Sequence, residues 1–330
     1  MRTRHLKRIV SITALAVASL FATRAAAAPY SDIYFFGDSV SDAGNVALAI
    51  GQPQGVPQLV TGNSYIPDYP YYPTGRYSNG PVWAEDFAGM FGLSATPSLA
   101  GGNDFAFAGA RTGGPNVPAP TLTSQVDMYL GGTGGTARPD ALYVIAEVGN
   151  DARDALAAIG GGADPAVTFQ AASQGYATDV ANLVDALRDA GATQFLVFDN
   201  VNLGLAPAVT ALGSGAANLA TTLTASMNLS LYQRLDGEAG VRVFDTFSFL
   251  TDVVENPGAH GFTNATDACA AVAAADCSTY VFWDGLHPTA ALHELIAASI
   301  VPEAPSLQML VVGLVALALV GRRARRHESA

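Results

Sequence analysis

Apolar residues along the chain gather in short dense runs, separated by longer stretches in which they recur every three or four positions. Gln194-Phe195-Leu196-Val197-Phe198 is apolar and closed by Asp199-Asn200, the pattern of a buried strand. Residues 33–36, 105–108, 142–146 and 241–244 read the same way. Between them, Asp164-Pro165 opens a helix with a capping carboxylate and a proline at the first helical position. Val180, Leu183, Val184 and Leu187 then form the stripe of a helix packed on one side, and Gly191 ends it. A further helix is predicted over residues 290–299. Alternation of this kind predicts an α/β fold, a parallel sheet with helices on both faces. Residues 50–74, rich in Pro, Gly and Tyr, read as an ordered surface loop. No repeat or linker interrupts residues 28–300, which are expected to form one domain.

Composition adds what the chain is not. Its 330 residues are 50% hydrophobic and 13% charged, too apolar for a disordered chain. The net charge is -12, and most basic residues lie at the two ends. Residues 28–301 hold seven arginines and no lysine against 26 acids, so no basic stripe is present to neutralise phosphates, and nucleic acid is excluded as a partner.

The ends themselves read as addresses. Residues 1–27 have a basic start (Arg2, Arg4, Lys7, Arg8), an apolar run over 9–22 and Ala25-Ala26-Ala27-Ala28, a secretory signal with the cut expected after Ala27. The run is shorter than the roughly 20 residues that a membrane anchor needs. At the other end, Val301-Pro302-Glu303-Ala304-Pro305-Ser306 precedes an apolar stretch over 307–320 and the basic Arg322, Arg323, Arg325 and Arg326. As a helix that stretch is about 21 Å long against a hydrocarbon core of about 30 Å, a marginal span whose basic cluster would stay cytoplasmic. The tail resembles the PEP-CTERM sorting signal of Gram-negative bacteria, with Pro-Glu-Ala-Pro in place of Pro-Glu-Pro. The resemblance implies removal by an exosortase and a location outside the cell or in its envelope; a short retained anchor, giving membrane association, is the alternative. Cys269 and Cys277 fit export, since a nearby pair in an oxidising compartment is expected to be bridged. With no adjacent His they do not make a zinc site.

Polar residues just after strand ends are where an open parallel sheet places its ligands. Those residues are Gly37-Asp38-Ser39-Val40-Ser41-Asp42-Ala43-Gly44-Asn45 after the first run, Gly109-Ala110-Arg111-Thr112 after the second and Gly149-Asn150-Asp151 after the third. Near the end of the domain stands Trp283-Asp284-Gly285-Leu286-His287-Pro288. Each block alone is an ordinary turn; four in this order are not. Their order and spacing resemble the GDSL esterase/lipase family of the SGNH hydrolases over nearly all of residues 32–296, with further matches at residues 75–83 and 202–207. The resemblance implies a three-layer α/β/α sandwich with a flavodoxin-like parallel sheet, and it calls for no metal or cofactor. It implies Ser39 as nucleophile, His287 as its base and Asp284 as the carboxylate that orients the His. It also implies an oxyanion hole built from the N–H groups of Ser39 and Gly109 and the side-chain amide of Asn150. Two positions depart from the family: Val40 replaces Leu, and Val148, preceded by Glu147, replaces a Gly two places before Asn150.

Elementary chemistry supports these roles. A serine hydroxyl is a poor nucleophile until a base takes its proton. The domain holds three histidines, His260, His287 and His293, and only His287 has a carboxylate three residues before it. His293 falls on the predicted helix and reads as structural or surface; Ala297 stands where a zinc-protease motif would need a second His. Asp38 reads as a turn or scaffold residue, and Arg111 as a member of an ion pair. The tyrosines between 65 and 77, with Trp83, either line an acyl or aromatic subsite or pin the loop down. The function expected is an exported serine esterase whose partner is an ester substrate, a lipid or an acylated small molecule or carbohydrate. A lipase or phospholipase and a carbohydrate acetylesterase are alternatives with the same triad, and a catalytically silent surface or matrix protein is the alternative outside enzymes.

Overall fold

The computed structural model describes residues 29–116, 119–273 and 275–301, so the expected signal segment 1–27 and the expected sorting tail from Pro302 onward lie outside the described residues. Strands β1 (Ile33–Gly37), β2 (Leu142–Ala146), β3 (Gln194–Phe198) and β4 (Val241–Phe244) pair in that order, all parallel. The helices in chain order are α1 (Asn45–Ala49), α2 (Trp83–Met90), α3 (Leu122–Gly132), α4 (Asn150–Gly160), α5 (Pro165–Asp189), α6 (Pro207–Thr210), α7 (Ser214–Leu235), α8 (Thr246–Glu255) and α9 (Ala290–Ile300).

Alternate residues of each strand face opposite ways, and both faces are buried. Phe36, Tyr143, Ile145, Phe195 and Val197 pack against α3, α5 and α7. Ile33, Phe35, Leu142, Val144, Leu196 and Phe198 pack against α2, α8 and α9. The result is a three-layer α/β/α sandwich. Helix α5 follows its sequence signals: Asp164 Oδ1 accepts the Val167 N–H at 3.0 Å, and Val180, Leu183, Val184 and Leu187 are all buried. Gly191, just past its end, has φ 114°, which suits a residue without a Cβ.

The expected strand over 105–108 is not a regular strand. Residues 103–107 run along the outer edge of β1 with three ladder bonds: Phe35 N–H to Asn103 O at 3.1 Å, Phe105 N–H to Phe35 O at 2.8 Å and Phe107 N–H to Gly37 O at 3.1 Å. On the far side, Asp104 bridges residues 96–98, its N–H donating to Thr96 O at 2.9 Å and its carbonyl accepting the Ser98 N–H at 2.6 Å, and side chains supply the remaining bonds. Asn45 Nδ2 donates to the carbonyls of Asp104 at 2.8 Å and Ala106 at 2.9 Å, and Asp104 Oδ1 accepts the Ala106 N–H at 3.0 Å. The ladder therefore ends in single bridges and side-chain bonds and not in a regular edge strand. The topology still has its reversal at β1: the chain leaves β1 for its outer edge and returns to β2 on its inner side. The crevice at the C-terminal end of β1 is therefore the switch point, where such sheets bind ligands.

A second, two-stranded parallel pair, β5 (Asn264–Ala268) with β6 (Tyr280–Phe282), stands apart from the main sheet and was not expected. The Cys269–Cys277 disulfide closes the loop between these strands. The 50–74 loop is ordered, as expected. Tyr71 and Val60 pack with Ala268 and Trp283, and Asn63 exchanges hydrogen bonds with Asp267 Oδ1 and the Ala268 N–H, both at 2.9 Å.

Candidate active site

Ser39 lies in the turn that leaves β1. Gly37 ends the strand because a Cβ there would come 2.8 Å from the Ala146 carbonyl oxygen. Asp38 then organises the turn: its Oδ1 accepts the Val40 N–H at 2.9 Å, and its Oδ2 accepts the Val148 N–H at 3.1 Å, tying the end of β1 to the end of β2. Burial pushes the Asp38 carboxyl above the usual range, against the pull of these two donors. Asp42 accepts the N–H groups of Gly44, Asn45 and Val46 and, at 3.1 Å, that of Ala108, which fixes the start of α1 and the approach to Gly109 together. Burial raises its pKa to about 6.

The C-terminal arm meets this turn. His287 Nε2 is 3.0 Å from Ser39 Oγ, and His287 Nδ1 is 2.8 Å from Asp284 Oδ2. Asp284 is fully buried and also accepts the N–H groups of Leu286 and His287, each at 2.8 Å, so the carboxylate folds the tight turn that carries the imidazole. Ser39, His287 and Asp284 are 248 and 3 positions apart in sequence and form one hydrogen-bonded chain. Such a chain can accept the hydroxyl proton on the imidazole and balance the resulting imidazolium.

Residues 33–300 match the GDSL-like lipase/acylhydrolase family. The chain belongs to that family. Its relatives include a GDSL esterase/lipase of Arabidopsis thaliana, 28% identical over 318 residues that cover 82% of this chain and 88% of the plant protein. A phosphatidylcholine-sterol acyltransferase of Aeromonas hydrophila is 25% identical over 252 residues, covering 73% of this chain and 65% of that enzyme. The thermolabile hemolysin of Vibrio parahaemolyticus is 23% identical over 294 residues, with 82% and 63% covered.

The three expected oxyanion donors border one cleft. Gly109 has φ 80°, a conformation that requires glycine, and among the described residues neither its N–H nor that of Ser39 is given to a protein acceptor. Asn150, the first residue of α4, is differently placed: its Nδ2 donates to the Ala110 carbonyl at 3.0 Å and, weakly, to Asp38 Oδ2 at 3.3 Å. Only the longer of these contacts can be exchanged for a substrate oxygen without loosening the Ala110 loop. Glu147, which precedes the Val148 departure, caps α4: its Oε1 accepts the N–H groups of Gly149 at 3.0 Å, Asp151 at 3.2 Å and also Asn150. Its Oε2 is buried with no partner among the described residues, and burial, with the charges of Asp151 and Asp38, pushes the carboxyl well above the usual range.

Two contributors escaped the sequence reading. The Tyr71 phenol donates to Asp284 Oδ2 at 3.0 Å, so this loop tyrosine anchors the carboxylate rather than lining a subsite. Arg153, one turn after Asn150 on α4, reaches Asn150 Oδ1 at 3.2 Å; burial and the charge of Arg111 lower its pKa. The i, i+3 spacing from Asn150 was the available signal. Tyr69 and Tyr77 do line the cleft, whereas Trp83 is buried in the core with its Nε1 on Ser41 Oγ at 3.1 Å. Arg111 pairs with Asp154 at 2.6 Å, and His293 is buried with its Nδ1 accepting the Trp83 N–H at 3.1 Å.

Proposed function

We propose that the protein is an exported serine esterase that cleaves carboxylic esters through an acyl-enzyme on Ser39. The observation that carries this reading is the Ser39–His287–Asp284 chain at the switch point of the sheet, with contacts of 3.0 and 2.8 Å. In it, His287 takes the Ser39 proton as Oγ adds to the ester carbonyl, and Asp284 holds the imidazole in the tautomer that leaves Nε2 free to accept. The free N–H groups of Ser39 and Gly109 receive the negative charge of the tetrahedral intermediate, and the Asn150 amide joins them by giving up its 3.3 Å contact to Asp38. The esterase and lipase names of the plant relatives support an ester substrate. The Aeromonas relative is named an acyltransferase, so an alcohol in place of water is the second acceptor to test.

Export rests on the signal-like segment 1–27 and is supported by the disulfide, which needs an oxidising compartment. Among the described residues no helix is long and apolar enough to cross a membrane. The tail's processing by an exosortase is proposed on its sequence alone. A fluorophosphonate probe tests the catalytic reading: wild-type protein should be labelled at Ser39 and hydrolyse p-nitrophenyl acetate. Absence of both would leave a silent family member.

A further inference from the structure

Two spaces of opposite character meet at Ser39. One is a narrow recess of about 60 Å3 that runs behind the Ser39–His287 pair into the layer between the sheet and helices α8 and α9. Val148, Phe198, Leu203, Phe249, Phe282 and Ile296 form its walls. Away from the end that Ser39, Asn150, Arg153 and His287 form, the polar wall residues spend their bonds elsewhere: Asn202 is held by Thr251 at 3.1 Å and Thr221 at 2.7 Å, and the Thr246 hydroxyl reaches the Phe244 carbonyl at 3.3 Å. The other space is an open cleft of about 720 Å3 in front of Ser39, with Asp68, Arg111 and Gly109 on its walls. At its mouth stand four exposed apolar side chains, Ile50 (38%), Tyr69 (49%), Leu99 (52%) and Met128 (39%). Ser39, Asn150, Arg153 and His287 border both spaces.

Resting on the esterase reading, we infer that the recess takes the acyl group and the cleft takes the alcohol, so that the substrates are short-acyl esters of a large alcohol with an apolar portion. Val148, the residue in place of the family's glycine, sets the acyl length. Water decides the orientation. After Ser39 Oγ bonds to the carbonyl carbon and its proton passes to His287, the C–O bond to the alcohol breaks and His287 returns the proton to the departing oxygen. A water must then occupy the vacated place beside Nε2, give one proton to His287 and add as hydroxide to the same carbon; the bond to Oγ breaks, His287 returns that proton to Oγ, and the acid is released. The departing alcohol and the incoming water use one side of the carbonyl, and both need an open path with polar partners. The cleft provides that; the hydrocarbon recess does not. Size follows from volume. At about 10–15 Å3 for each water-sized group, the recess holds about four to six heavy atoms, so the longest chain it takes is of butyryl to hexanoyl length.

The test crosses two ester series on the full-length protein, with active sites counted by fluorophosphonate. In p-nitrophenyl esters of acetate, butyrate, octanoate and laurate, wild-type kcat/KM should fall at least about 10-fold from butyrate to octanoate. Val148→Ala should raise octanoate relative to butyrate by about 10-fold. Leu203→Phe, at another wall residue, should lower butyrate relative to acetate, and it stands as a second probe should Val148→Ala lose stability. In acetate esters, a large aromatic or alkyl alcohol should be preferred to methanol. A wild type that cleaves long-acyl methyl esters best would reverse the assignment. Variants that scale every ester by one factor would remove Val148 and Leu203 as determinants. Failure of all esters together with failure of labelling would instead overturn the esterase reading itself.

Discussion

The Tyr71 phenol and the His287 imidazole share one oxygen: Asp284 Oδ2 lies 3.0 Å from the first and 2.8 Å from the second. A residue of the 50–74 loop therefore helps to hold the carboxylate that orients the imidazole, and burial together with the charge of Asp284 raises the pKa of the phenol. Tyr71→Phe removes one of four donors to a buried carboxylate. It should cost about 1.5–3 kcal/mol of folding stability and lower kcat with little change in KM. Urea denaturation and steady-state kinetics on the same preparation check this; unchanged values in both would leave Tyr71 a packing residue only.

Ser39→Ala and His287→Ala should each abolish ester hydrolysis while the proteins stay folded by circular dichroism. Asn150→Ala should reduce kcat by about 10²- to 10³-fold. Because the Asn150 amide also supports the Ala110 carbonyl at 3.0 Å, a modest fall in melting temperature should accompany the kinetic loss. A change confined to KM would remove Asn150 from the oxyanion hole.

His293 provides an acid-sensitive element outside the triad. Burial lowers its pKa to about 3, and its Nδ1 must stay unprotonated to accept the Trp83 N–H. The unfolded chain binds a proton near pH 6.5, the folded one only near 3, so this group's contribution is complete above pH 6.5 and is lost as pH falls through that window. The slope is about 1.4 kcal/mol per pH unit for one proton. His293→Gln should show a shallower fall in urea midpoint between pH 6.5 and 4 than wild type, whatever its stability at pH 7. Parallel curves would contradict the assignment.

Much of this was legible because the physics was local. The runs at 33–36, 142–146, 194–198 and 241–244 are apolar at consecutive positions because both faces of their sheet are covered. Helix α5 carries its cap, its stripe and its stop within its own sequence. The segment at 105–108 looked the same, yet there the outer pairing is one bridge to residues 96–98 plus side-chain bonds from Asn45 of α1. Strand β5, Asn-Ala-Thr-Asp-Ala, has no apolar run; it exists because the tyrosine loop and the disulfide hold it against β6. Tyr71 was visible as a residue but not as a partner of Asp284, 213 positions away.

Glu147 gives a prediction of opposite sign in pH. A carboxyl whose folded pKa is raised contributes stability that is fully present below the ordinary glutamate value and lost as pH rises through the folded value. Glu147→Gln keeps the acceptor for the first turn of α4 and removes the proton, so it should flatten the loss of stability toward alkaline pH. Glu147→Ala takes the acceptor away and should cost about 1–3 kcal/mol. Thermal melts across pH 5 to 9 separate the two; a Gln variant with the wild-type pH slope would place the titration elsewhere.

The Cys269–Cys277 bridge pins the loop between β5 and β6, and β6 runs directly into Trp283 and Asp284, whereas Ser39 hangs from the main sheet. Nucleophile and base are thus mounted on two foundations, only one of which carries a covalent tie. Under reducing conditions the serine's turn keeps all of its ties, while the limb bearing the imidazole gives up its covalent stitch and is left to the grip of Tyr71 on Asp284.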